Sequence, residues 1–383
     1  MEWCMKNDLL DYYKKYNISP ERQDIADLSV HYARRKKLYR QCGIPEVAFR
    51  NAEILEVGPG GGHNTLAFFH WKCKHVDLVE ANPQGIKDMR ALFSEEGIAE
   101  EQYSIFECLI EEYSTERKYD IVIAEGFLPT LSNQEEVTNK LKQLTNENGI
   151  VVVTCVDKVG FFVERIKKLV GRILTQNIED YQEKVKYLTD IFQPQLKKLR
   201  GVSKIPEDWV KDNILVPTID YGQEFSLSRA MQYFEDDFEI LGTSPQMFTD
   251  YSWNKDIWYD YKKDYLEQFD RKRLSFLLAN MPEIILPLNV ANILAKCFMD
   301  INNAEAEYEE TLDLSKVSYI LECMGSVEKL VQQNFNDEFI KVFAEIETLL
   351  TCLMAGLNID MGDYPHFFGA FGRTQQYISF VRK

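Results

Sequence analysis

Paired cysteines, histidine clusters and long apolar runs are all missing from this 383-residue chain. Its eight cysteines stand singly, with no C-x-x-C, and none joins the five histidines at zinc-ligand spacing. They read as reduced thiols filling small gaps in a core, and no metal site is expected. Positive charge is scarce: 44 Lys and Arg stand against 61 Asp and Glu, a formal net charge of −17. Such a surface repels phosphate backbones, so nucleic acid is not an expected partner. The most apolar stretch, Ile284 to Phe298, contains Asn289, Asn292 and Lys296 and falls short of the roughly 18 uncharged residues of a membrane span. Met1-Glu2-Trp3-Cys4-Met5-Lys6 lacks the basic-then-apolar order of a signal peptide, so the expected location is cytoplasmic, without membrane contact. Low-complexity tracts and internal repeats are also lacking.

What is present is an alternation of strand and helix signals. Residues 2–42 are polar and helical in pattern, a cap lying on something. Ile54, Leu55 and Val57 make a short apolar strand that runs straight into glycines. A helix with Leu66, Ala67 and Phe69 follows, then a strand at Val76, Leu78 and Val79. Asn82-Pro83 reads as the N-cap and first residue of a helix whose Ile86, Met89 and Phe93 share one face. Further strands are expected at Tyr103–Phe106, Asp120–Ala124 and, after an Asn148-Gly149 turn, Ile150–Val153. Ser132 and Glu135 are spaced as a capping box for the helix between the last two. The pattern predicts a doubly wound α/β fold around a mostly parallel sheet. After Asp157 the alternation gives way to helical blocks, interrupted by strand character near Phe238–Leu241 and again at Tyr377–Val381. The expected division is a cap (1–50), a cofactor-binding core (51–159), a helical insertion (160–236), a core strand (237–249), a second insertion or lid (250–373) and a closing strand (374–383).

The glycine cluster reads Glu56-Val57-Gly58-Pro59-Gly60-Gly61-Gly62-His63-Asn64. Glycines between strand and helix let the backbone turn tightly and approach a ligand, and the helix N-terminus offers free N–H groups to an anion. The dinucleotide spacing G-x-G-x-x-G would need glycine where His63 stands, and the Gly-Lys-Ser/Thr ending of a P-loop is absent. The pattern present is Glu-x-Gly-x-Gly-x-Gly.

This resembles the first motif of the class I S-adenosylmethionine-dependent methyltransferases, over about residues 50–157. The resemblance implies a seven-stranded sheet with a final antiparallel strand, S-adenosyl-L-methionine as cofactor, and a loop that embraces its methionine part. It assigns to the cofactor Glu56, Gly58, Gly60, Gly62 and Asn64 in the loop. Glu80 and Ala81 end the second strand, where an acid accepts from both ribose hydroxyls. Cys108 and Leu109 follow the third strand, near adenine, where the family's usual Asp is missing. Glu125 and Gly126 end the fourth, where the methyl end meets the acceptor.

A sulfonium is already an activated methyl donor, so in-line positioning is the main task, with a base needed for an oxygen or nitrogen nucleophile. The base candidates are His366 in a loop near the closing strand, Asp212 beside the basic run Lys197, Lys198, Arg200 and Lys204, and Asp250 after the sixth strand. His31 with Arg34 and Arg35 lies on the cap. It reads equally as a solvated helix face or as part of a closure over the cofactor. The expected partner is a small-molecule acceptor, glycan-like or a natural-product intermediate; oligomeric state is left open. Two alternatives stand beside this reading. One is another enzyme on the same sheet, an oxidoreductase or an aminopropyltransferase; the latter expects an acidic pair where only Glu125 stands. The other is a non-catalytic binding subunit.

Overall fold

The computed structural model describes residues 8–19, 23–197, 204–217, 224–250, 253–255, 264–334 and 336–383. The chain divides into two compact units: residues 1–156, 223–270 and 376–383 form one, and residues 157–222 and 271–375 the other. In chain order, α1 (Asp8–Tyr16) and α2 (Leu28–Gln41) precede β1 (Glu53–Val57), α3 (Leu66–His70) and β2 (His75–Val79). Next come α4 (Pro83–Glu95), β3 (Tyr103–Phe106), β4 (Tyr119–Ala124), α5 (Gln134–Leu144) and β5 (Thr145–Val156). The second unit begins with α6 (Phe162–Thr175), α7 (Tyr181–Leu196) and α8 (Pro206–Val210). The chain re-enters the first unit as α9 (Leu227–Phe234) and β6 (Phe238–Ser244), and α10 (Tyr265–Lys272) follows. The second unit is completed by α11 (Leu288–Thr311), α12 (Leu314–Val331), α13 (Asp337–Met354) and α14 (Pro365–Gly369), and β7 (Gln375–Arg382) closes the sheet.

Apart from Glu53, Glu56 and Asp120, β1 and β4 are apolar, as suits parallel strands covered on both faces. Ile54, Leu55, Val122 and Ile123 are wholly buried. Ile54 lies opposite Val76 on one side and Ile121 on the other, both in parallel register. The strand order is β3-β2-β1-β4-β5-β7-β6, with Phe238 of β6 antiparallel to Arg382 of β7. The expected seven-stranded, mostly parallel sheet is therefore present. Its order reverses between β1 and β4, and in such sheets the crevice beyond the carboxyl ends of those strands is where ligands bind.

Local signals behave as the residues dictate, with instructive exceptions. Asn82 caps α4, its side-chain oxygen accepting from the Gln84 N–H at 3.0 Å. Ser132 and Glu135 do not form a capping box. The N-cap is Asn133, whose amide instead donates to Glu111 at 2.7 Å. The Asn148-Gly149 turn lies inside β5, which starts at Thr145, and Asn148 takes a φ of 57°. α9 belongs to the first unit, although the sequence placed it with the preceding helical block. Phe234 stacks on Phe380 of β7 at 4.3 Å, so its apolar face is spent on the sheet.

In the second unit the predicted stripe Phe162, Ile166, Leu169 and Ile173 is buried, but so are Glu164, Arg165, Lys167 and Lys168 on the same helix. Phe162 meets Phe298 and Phe343 at ring distances of 5.3 and 5.4 Å. Arg165 pairs with Glu305 of α11 and also donates to the Asn302 carbonyl at 2.9 Å. Asp157 and Arg273 form a second buried pair at 2.8 Å. Among the described residues no helix is long and apolar enough to cross a membrane. Glu305→Ala strands the Arg165 guanidinium in this core and should cost about 3–5 kcal/mol. Arg165→Met added to it should recover most of that loss in thermal unfolding; a double variant no more stable than Glu305→Ala would show that the pair is not the cause.

Candidate functional site

The site starts from the bend after β1. Gly58 and Gly62 take φ of 70° and 78°, the left-handed region that side chains avoid. Space is also closed: a Cβ at Gly62 would lie 2.7 Å from Met89 Cγ, and one at Gly58 would lie 3.1 Å from the Phe127 ring. Gly58 stays tied to the sheet by its N–H, which donates to the Val79 carbonyl at 2.8 Å.

The bend is fastened to an acid. Glu80 is 6% exposed. Its Oε2 accepts from the Gly60 N–H and its Oε1 from the Asn82 N–H, each at 2.7 Å. Burial pushes this carboxyl above its ordinary range, and the N–H bonds from Asn82 and Gly60 oppose the shift. With about four acceptor directions, the carboxylate keeps capacity for a hydroxyl donor of a vicinal diol.

At the end of β4, Glu125 is gripped from α2. Arg35 donates from Nη1 to Oε2 at 3.0 Å and from Nη2 to Oε1 at 2.5 Å, and the Tyr39 hydroxyl donates to Oε1 at 2.8 Å. This use of Arg35 and Tyr39 was not foreseen. The available signal was the four-residue spacing of His31, Arg35 and Tyr39 down one side of a polar helix.

These elements surround a cleft of about 130 Å³. Of the assigned cofactor residues, Gly58, Glu80, Ala81, Cys108, Leu109, Glu125 and Gly126 line it. Glu56, Gly60, Gly62 and Asn64 stand behind the wall. Gly60 holds Glu80, Gly62 packs on Met89, and Asn64 reaches Glu125 at 3.5 Å. Glu56 receives the Thr65 hydroxyl at 2.6 Å. Leu9, Leu10 and Tyr13 of α1 complete the wall together with Ile110, Phe127 and Leu131. The residues present suit S-adenosylmethionine: a backbone cradle that a Cβ at Gly58 would fill, an acid with spare acceptor capacity for a sugar diol, and an apolar slot past β3.

The base candidates are not brought together. Asp250 lies in the first unit, exposed, 3.5 Å from the Tyr265 hydroxyl, and is not part of the cleft wall. Asp212 and His366 belong to the second unit. Asp212 pairs with Lys204 at 3.0 Å, and His366 Nδ1 lies 3.3 Å from Glu338. Lys198 and Arg200 of the basic run lie outside the described residues, and Trp209 after it is buried against Phe192. Among the described residues no His, Cys, Asp and Glu group could hold a metal.

Glu56 carries a pH prediction. Burial raises its carboxyl to about 8, with the Thr65 bond opposing. An acid whose folded pKa lies above its unfolded one contributes stability in full below about 4.5 and loses it as pH rises through about 8. Thermal melts of the wild type should therefore decline across that window, whereas Glu56→Gln should give a flatter profile. Parallel profiles would contradict the assignment.

Residues 48–216 match the family described as "Methyltransferase domain". No curated protein matches the chain in sequence. Among solved structures, the N-methyltransferase NodS from Bradyrhizobium japonicum WM9 in complex with S-adenosyl-L-homocysteine shows 16% identity and a TM-score of 0.32 over 40% of this chain and 75% of its own. An S-adenosylmethionine-dependent methyltransferase from Mesorhizobium loti shows 13% identity and a TM-score of 0.27 over 30% of this chain and 50% of its own. PKMT2 from Rickettsia typhi shows 16% identity and a TM-score of 0.38 over 58% of this chain and 46% of its own. Overlaps of this size carry no weight in the assignment, which rests on the matched domain with its glycine loop and strand order. Residues 48–216 are thus a methyltransferase domain, and the cofactor that this domain calls for is S-adenosylmethionine.

Proposed function

We propose that the enzyme methylates a small-molecule acceptor on oxygen or nitrogen by in-line displacement. The observation that carries this reading is the apolar wall that Leu9, Leu10 and Tyr13 of α1 contribute to the cleft. A helix that lends apolar side chains to the cleft wall suits a compact acceptor better than a broad macromolecular surface, and the net charge of −17 disfavours nucleic acid. When bound, the cofactor supplies an electrophilic methyl group on a sulfonium. The chain's task is to hold it: Glu80 takes the ribose hydroxyls, Gly58 lets backbone approach the methionine part, and the slot at Cys108 and Leu109 takes the adenine. Apolar side chains around the cleft exclude water and strengthen each of these polar contacts. For a nucleophile that must lose a proton, the base is proposed among His366, Asp212 and Asp250.

Glu80→Ala should weaken S-adenosylhomocysteine binding by about 10- to 100-fold in calorimetry, since it removes charged acceptors from a buried diol. Unchanged affinity would remove the ribose role. For the acceptor, the protein is incubated with a methyl-labelled cofactor and a cell extract split by size. Label in the low-mass fraction is expected; label only in protein or nucleic acid would overturn the small-molecule reading.

A further inference from the structure

One side of α2 carries more buried polarity than the fold requires. His31, Arg35 and Tyr39 are 5%, 6% and 1% exposed. His31 Nε2 lies 3.0 Å from the His63 carbonyl in the glycine loop. A carbonyl can only accept, so this nitrogen carries the proton, and α2 is tied to the loop. Burial, helped by the neighbouring Arg35 charge, lowers the His31 pKa to about 4, so the ring is neutral at pH 7. Arg35 and Tyr39 grip Glu125 as described above, and Arg35 Nε is buried with no hydrogen-bond partner among the described residues. A buried ion pair is seldom worth more to stability than apolar side chains of the same volume. A forked grip on a carboxylate at the wall of the cofactor cleft therefore points to a task of position.

The location says which task. Glu80, Cys108 and Leu109 mark the adenosine end of the cleft, at β2 and β3. Glu125 lies at the other end, after β4, with 10% of its side chain exposed and Asn64 of the glycine loop as its neighbour. A carboxylate has about four acceptor directions. Arg35 fills one on each oxygen and Tyr39 a second on Oε1. The Asn64 contact to Oε2 is long, at 3.5 Å, which leaves one direction on that oxygen for a stronger donor. The amino-acid end of the cofactor carries one suitable group. Its sulfonium has no N–H or O–H to donate, and its carboxylate would be repelled. We propose that Arg35 and Tyr39 are positioning residues that hold Glu125 to receive the α-ammonium group of the cofactor's methionine moiety.

The assignment goes beyond the acceptor reading and rests on the identity of the cofactor and on its adenosine lying at the Glu80 end, as proposed above. It is tested by calorimetry with two ligands, S-adenosylhomocysteine and 5′-methylthioadenosine, which shares the adenosine and thioether but lacks the amino acid. Arg35→Met should weaken S-adenosylhomocysteine about tenfold or more while leaving methylthioadenosine within about twofold, and Arg35→Lys should recover part of the loss. Tyr39→Phe should move the same ligand in the same direction by less. Equal losses for both ligands, or no loss for S-adenosylhomocysteine, would overturn the proposal. Should Arg35→Met fail to fold, Tyr39→Phe and Glu125→Gln decide on the same criterion. Wild-type protein that binds neither ligand would defeat the cofactor assignment itself, and this proposal with it.

Discussion

Two backbone N–H groups, those of Gly60 and Asn82, converge on the carboxylate of Glu80, and the cofactor site is arranged around that convergence. A charged group taken out of water must be compensated, and here the compensation comes from the loop after β1 and from the first residue of the cap of α4. The acid placed to read a sugar therefore also fixes the bend that cradles the rest of the cofactor. The arrangement depends in turn on parallel pairing of β1 with β2, which sets Val57 opposite Val79 and so brings the two strand ends level. Were the register to slip by one residue, every side chain would change face, and loop and acid would no longer meet.

Buried charge recurs through the chain, and its surroundings show what each instance does. Arg35 and Glu125 sit at the cleft wall, where a fixed carboxylate can meet a ligand. Arg165 with Glu305 and Asp157 with Arg273 lie inside the helical unit, each pair with side chains at most 9% exposed. There they face other protein groups and hold particular helices in register. An exposed pair such as Lys74 with Glu53, the lysine 65% exposed, is screened by water and contributes little to either end.

Much of the fold could be read in the residues. The apolar runs at 54–57, 76–79 and 120–124, the Asn82-Pro83 cap and the closing strand are short-range patterns, and each became the element its pattern specifies. The glycine spacing and Glu80 were legible for the same reason, since a tight bend and a strand-terminal acid are local facts. The wall formed by Leu9, Leu10 and Tyr13 was not, because a periodic apolar face records that something is covered without recording what. Nor could the sequence tell that α6 is buried nearly all round. Glu164 and Lys167 look like a solvated face until the Gly372 N–H and the Ala370 carbonyl, some two hundred residues on, supply partners.

The sequence by itself determined the strand and helix alternation, the bend at Gly58–Gly62 and the acid at position 80, because propensity, capping and backbone sterics act over a few neighbouring residues. Only the tertiary structure decided that Arg35, ninety positions before Glu125, grips it, that β7 slots between β5 and β6, and that Asp212 and His366 sit in a different unit from the cleft. Those outcomes depend on which apolar faces bury one another and which buried charges find compensation, and both are sums over contacts between residues far apart in the chain.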